Sequence, residues 1–362
     1  MIDYKNEFLE YLNCNNLNHY KLYSEPLPNY TTIENGLIRA INREPEALIT
    51  KMSESRGINP SIHVFCVQDE TVDAFCFKVD WRYYIGMHTG TYVQLMRKCN
   101  IVADFLINQS GLYRYKDKQK IRLQSVLWNY AFKMMLKHEY MHIILGHCDA
   151  MAKQSHFLWE NSSQVGKIKE CIYDHIDLQA FEMFADIFAV RDEIEQMMAF
   201  SKGNIEEIQY SLLSYYVSII LVYSLFAQDE CEDTCHPAPG VRLYYSMAEV
   251  DDTILFYLGD NAHEKLEEID MVVDELFYII GELPQILSTE LLYTFKENKI
   301  DRIYLQLYNR AADIVKEINS MAIYPIEEFG KQDAKIIAQR NRERELIKFA
   351  TQNDYEYNRY VN

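Results

Sequence analysis

The chain has 362 residues, 49% hydrophobic and 25% charged, so it can bury a sizeable core and reads as globular rather than disordered. Its formal charge of −18 would repel a phosphate backbone, which argues against nucleic acid or an anionic membrane as partner. Eight cysteines are scattered along the chain, and Met1 to Phe8 show no basic segment followed by an apolar one; both features point to a reducing cytoplasm.

In chain order, residues 1–60 read as a helical N-terminal segment broken at Pro26, Pro28 and Pro60. Strand-like runs follow at Ile62 to Val67 and at Val72 to Met87, the second ending in a Thr89-Gly90 turn. Helical spacing returns over Tyr92 to Ile107, and Ser110 to Lys120 is a polar connection. From Ile121 onward the pattern is helical, with segments at His175 to Phe200, Ile205 to Ala227, Arg242 to Val250 and Ala262 to Ile280. Lys331 to Ala350 is a charged helix with few apolar anchors. The expected fold is α+β and mainly helical, with a short sheet ahead of one central helix. Residues 61–260 form the core, and 261–362 form a helical extension packed on it. Tyr210 to Ala227 carries no charge over 18 residues, the threshold length for a membrane span. Its four Ser and four Tyr, and the helical spacing of Ser211, Ser214 and Ser218, favour a buried core helix on which another helix packs closely.

The run His138-Glu139-Tyr140-Met141-His142 is an HExxH motif preceded by the apolar stretch Val126 to Met135. Residues four apart on a helix stack one turn above the other, so both imidazoles project from one face and can reach one Zn²⁺. Glu139, offset by one residue, falls beside the metal, where it serves as general base. Catalytic zinc takes three protein ligands and keeps a position for water, so one ligand is missing. His147, nine residues after His138, points to the opposite side of the helix and is a poor third ligand. It reads as a helix-end histidine that suits the negative dipole there. The HExxHxxGxxH pattern fails as well, since Leu145 and Cys148 occupy its Gly and last His positions.

Glu182 is a better candidate, because a carboxylate in the apolar stretch Gln179 to Ala189 is costly unless it is paired or binds metal. Asp186, one turn later, could accept the second ring N–H of a ligating histidine and fix its tautomer. The alternative is an ordinary polar stripe. Downstream, His236-Pro237-Ala238-Pro239-Gly240-Val241-Arg242 reads by its residues as a loop-to-helix junction, with Pro237 suited to a first helical turn. Cys231 and Cys235 beside it read as free thiols in a polar loop, since no second half of a metal site accompanies them.

Taken together, HExxH with its following Leu145-Gly146-His147, the Glu182-to-Asp186 helix and the HPxxxxR run from His236 to Arg242 resemble the HtpX/CAAX-prenyl-protease group of gluzincin metallopeptidases. The segment Asp73 to Phe75 with Tyr84 to Thr91 resembles the family's strand and turn ahead of the metal helix. The resemblance spans residues 62–250 and implies a zincin-like core with zinc ligands His138, His142 and Glu182 and base Glu139. It also brings His236 and Arg242 into the catalytic site, as oxyanion donors or as a brace for a carboxylate near the zinc. Replacing either with Ala is then expected to cost turnover while sparing zinc content and stability. The best-known members span membranes several times. This chain looks more like the soluble bacterial members, including the Lit-like phage-exclusion type, which act on cytosolic proteins. The expected function is a zinc endopeptidase acting on a protein or peptide substrate. A catalytically silent zinc-site regulatory protein and a non-peptidase zinc hydrolase are the alternatives.

Overall fold

A computed structural model describes residues 3–258 except 16, 18, 25, 42–43, 109–114, 116–118, 153–174 and 227–235, and seven isolated positions beyond (279, 307, 309, 310, 313, 314 and 322). Three helices come first: α1 (Tyr4–Cys14), α2 (Thr32–Ile41) and α3 (Glu44–Ser55). A sheet of β1 (Ser61–Val67), β2 (Ala74–Val79) and β3 (Arg82–His88) follows. Then come α4 (Thr89–Asn108), α5 (Lys120–Ile144), α6 (His147–Ala152), α7 (His175–Ser201), α8 (Ile205–Phe226) and α9 (Pro239–Leu258). The described chain is thus mainly helical with one small three-stranded sheet, as the pattern predicts.

The sheet corrects one expectation. Val72 to Met87 is not a single strand but a hairpin, in which Asp80 and Trp81 link β2 to β3 between the paired residues Val79 and Arg82. Asp80 takes φ 54°, a left-handed position that aspartate tolerates better than most residues. Neither turn residue is a Gly or Asn that would mark the turn. The strand order is β1-β3-β2, with β3 parallel to β1 and antiparallel to β2, so β2 is an edge strand.

Alternation sorts the two faces of the sheet. Phe75, Phe77 and Tyr84 point at Phe8 of α1, where Tyr11 also stacks on Phe77 with ring centroids 4.0 Å apart. Cys76, Tyr83, Ile85 and Met87 point the other way, into the main helical core.

Thr89-Gly90 is likewise not a turn; the two residues open α4. A Cβ on Gly90 would lie 2.1 Å from the Glu70 carbonyl oxygen and 2.2 Å from that of Thr71. The glycine therefore marks a close backbone approach, closed by the Gly90 N–H donating to the Asp69 carbonyl at 2.7 Å.

The central helix α5 packs against α4, α7, α8 and β2. Over its last three turns every residue from Met134 to Ile144 is buried, because a helix enclosed on all sides has no solvent face to spare. Even Lys137 is fully buried, its charge met by Asp192 (Nζ–Oδ2 2.6 Å) and Glu193 of α7. Arg56, just past the end of α3, reaches Asp192, and Lys133 lies 3.5 Å from Glu193. Moving up α5 from Lys137 to His142, the partners on α7 run down from Glu193 to Glu182. The two helices are therefore antiparallel, and this ion network fixes their register.

Among the described residues, α8 is the one helix long and apolar enough to cross a membrane, and 78% of its most apolar window is buried within the fold. Ser218 Oγ donates to the Leu127 carbonyl of α5 at 3.1 Å, so the small-residue stripe brings the two backbones close, as its spacing suggests. Beyond α9, Leu307 packs with Met183, Ile187, Val241 and Tyr245, and Arg310 pairs with Asp177. The expected helices at Ala262 to Ile280 (apart from Ile279) and Lys331 to Ala350 lie outside the described residues, as do Cys231 and Cys235.

Candidate metal centre

His138 and His142 leave the last turns of α5 on one face, and the antiparallel α7 carries Glu182 against them. The His138 and His142 Nε2 atoms are 3.1 Å apart. Glu182 places Oε2 at 3.2 Å from the first and Oε1 at 3.2 Å from the second. This buried trio could hold a metal ion. Glu182 is fully enclosed. Burial opposes its charge, but His236, His138 and His142 outweigh that and hold the carboxyl well below its usual range.

Asp186, one turn along α7, sits behind His138, with Oδ1 at 2.8 Å from Nδ1. Three groups thus converge on Asp186. Arg242 grips it with both arms, Nε to Oδ2 at 2.7 Å and Nη2 to Oδ1 at 2.8 Å, while the Tyr245 hydroxyl donates to Oδ2 at 2.6 Å. Arg242 can do this because α9 begins at Pro239, which puts the arginine in the first turn of a helix packed on α7. Pro239, rather than Pro237, takes the first helical position. Burial opposes the charge on His138, yet Asp186 and Glu182 prevail and raise it to about 10. For His142 burial prevails and lowers it to about 4.

His236 lies with Nε2 at 3.0 Å from Glu182 Oε2, and Arg242 Nη2 is 3.6 Å from the same oxygen. Both members of the HPxxxxR run therefore meet the carboxylates of the centre, and Arg242 takes the brace, the second of the two roles open to it. Removal of Arg242 is therefore expected to cost stability, contrary to the expectation from the sequence. Its side chain is buried in a two-armed ion pair, and its loss would strand Asp186.

Glu139 is buried in the wall of a cleft of about 30 Å³, with His138, Asp73, Ala74, His236 and Arg242 around it. Burial is the main force on it and raises its carboxyl to about 7. Asp73, at the mouth of edge strand β2, was not singled out as a site residue by the sequence. Burial, then the Glu139 carboxylate, push it well above the usual carboxylate range. Nothing in its spacing marks it. Tyr245 also escaped notice, although it lies three residues after Arg242 and so shares its helical face.

His147 overturns a spacing argument. The helix does not continue past it: α5 ends at Ile144, Gly146 takes φ 82°, and His147 opens α6. The turn brings the imidazole back under the motif, where its Nδ1 lies 2.8 Å from that of His142. It is no charged helix cap, since burial, then His142, hold it well below its ordinary value. His147 remains outside the trio that could hold an ion.

Set against protein-family models, curated proteins and solved structures, the chain matches none of them.

Proposed function

We propose that this chain is a zinc endopeptidase of the gluzincin type, with a zincin-like core akin to that of the HtpX/CAAX-prenyl-protease group, acting on a cytosolic protein in the cytoplasm. The observation that carries the reading is the triangle of two imidazole nitrogens and one carboxylate oxygen pair, 3.1–3.2 Å on each side, beside the HExxH glutamate. Ligand atoms at ~2.0–2.1 Å from one tetrahedral zinc sit about 3.3 Å from each other, so the donors need hardly move to share an ion. Two neutral imidazoles and one carboxylate also leave the ion a net positive charge. Zinc held there supplies Lewis acidity, acidifying water and polarising a scissile carbonyl.

The protein's own groups do the rest. Glu139, raised to about 7, is poised near neutrality to take a proton and release it to a leaving amine. Asp186 Oδ1, 2.8 Å from His138 Nδ1, favours a proton on that nitrogen, which would leave the Nε2 lone pair to face Glu182 and the ion. Arg242 and Tyr245 hold Asp186 in place for that task. His236 sets its Nε2 3.0 Å from Glu182 Oε2 and hinders that carboxylate from turning away. In the described sheet β2 pairs on one side only, and its first residue, Ala74, lines the cleft. An extended peptide added to that edge would pass beside His138 and Glu139.

One observation favours a second reading, a zinc hydrolase acting on a small molecule: the cleft is small, with only about 30 Å³ of free space. A trapping experiment separates the two. Cells expressing wild type or Glu139→Gln are compared by quantitative mass spectrometry. The peptidase reading expects one or a few cytosolic proteins to be cleaved only with wild type and to co-purify with the variant. An unchanged proteome alongside a wild-type-specific change in small metabolites would decide for the second reading.

A further inference from the structure

The two motif histidines are held from behind by different kinds of group. His138 turns its Nδ1 to the carboxylate of Asp186 at 2.8 Å, whereas His142 turns its Nδ1 to a second imidazole, that of His147, also at 2.8 Å. A neutral imidazole carries one proton, so a histidine that offers the Nε2 lone pair to a metal must carry that proton on Nδ1. We propose that His147 is the positioning residue for His142, accepting the His142 Nδ1–H on its own Nδ1 lone pair and so fixing the tautomer and ring plane that point Nε2 at the zinc. The inference rests on the metal reading above.

Several features of the fold serve this contact. Gly146 in its left-handed conformation folds the chain back, so a residue only five positions after His142 meets its ring from behind. The two rings meet at 64° with centroids 5.0 Å apart, an edge-on approach compatible with an in-plane N–H···N hydrogen bond rather than stacking. His147 is completely enclosed, and the Phe181 ring, one residue before Glu182, packs on it with centroids 4.4 Å apart. The same helix that delivers the carboxylate donor thus also clamps the group behind the second imidazole. A neutral acceptor has an electrostatic logic too. Glu182 and Asp186 already place two carboxylates against Arg242, with Glu139 buried beside them, and another behind His142 would add a further buried charge.

The test uses the full chain and zinc alone. In His147→Leu, zinc affinity, measured by competition with a chromophoric chelator, should fall ~10–100-fold, the usual effect of removing a group that orients a metal-bound histidine. One ion per chain should still bind at saturation. In His147→Asn, whose Oδ1 takes the place of Nδ1 as acceptor, most of the affinity should return, which a merely space-filling role would not predict. Histidine ¹⁵N spectra of the zinc-loaded wild type need no variant to fold, and should show His142 protonated at Nδ1 and His147 at Nε2. A wild type that binds zinc while His147→Leu binds it equally tightly, or while His147 carries its proton on Nδ1, overturns the positioning role and leaves the metal reading standing. A wild type that binds no zinc overturns both.

Discussion

Glu139→Gln should keep a full complement of zinc and hydrolyse its substrate ~10²–10⁴-fold more slowly, the range supplied by a positioned general base. The amide has nearly the shape of the carboxylate and adds no charge, so the buried wall that holds Glu139 has no reason to move. What the amide cannot do is accept a proton. Glu139 Oε2 is buried and takes no hydrogen bond from the described residues, and the residue lines the cleft. Burial raises the group to about 7, where gain and loss of a proton are nearly balanced at neutral pH. A zinc site kept only for structure would show no turnover in the wild type and no change in the variant. Single-turnover kinetics on the trapped substrate, with zinc measured on the same samples, would give the answer; equal rates would remove Glu139 from the mechanism.

Arg242→Ala should lower the stability of the zinc-free protein by ~3–5 kcal/mol, the usual cost of leaving one partner of a buried ion pair alone. Asp186 is almost wholly enclosed, and two of the hydrogen bonds that hold its charge come from this guanidinium. Without them the carboxyl either remains charged in a poor solvent or takes up a proton, and in neither form does it grip His138 Nδ1 as before. Zinc affinity should therefore fall as well, by ~10–100-fold, as is typical when a group behind a metal ligand is lost. Arg242→Lys should recover little, because an ammonium is a point charge and cannot span both oxygens of Asp186. Urea unfolding in the presence of a chelator measures the first effect and metal competition the second. Wild-type stability in the zinc-free variant would mean that the Arg242–Asp186 pair contributes nothing net.

Much of this site is legible in the sequence because its elements are helical, and helical spacing translates directly into shared faces. His138 with His142 and Glu182 with Asp186 are each four apart, and each pair meets its counterpart across α5 and α7. A carboxylate in an apolar helix signals a partner by its cost alone, as Glu182 does, although the identity of that partner does not follow from spacing. The misreadings occur where helical or strand periodicity stops. Gly146 ends α5, and a face argument extended past it sends His147 to the wrong side. Gly90 looks like a turn glycine, yet its lack of a side chain answers to the carbonyls of Glu70 and Thr71, 20 and 19 residues earlier in the chain. The hairpin at Asp80 lacks a standard turn pair and hides inside a continuous strand-like run. Lys137, one residue before the motif, finds its partners Asp192 and Glu193 only through the packing of α7. Long-range partners of this kind depend on tertiary packing that no local pattern encodes.

The central claim is that His138, His142 and Glu182 hold one zinc ion. Elemental analysis of the purified chain after dialysis against metal-free buffer tests it most directly, with wild type, His138→Ala, His142→Ala, Glu182→Ala and Glu139→Gln run side by side. The account predicts about one zinc per chain in wild type and in Glu139→Gln, and a small fraction of that in each of the other three. A wild type without zinc, or a Glu182→Ala variant that retains it in full, would contradict the account.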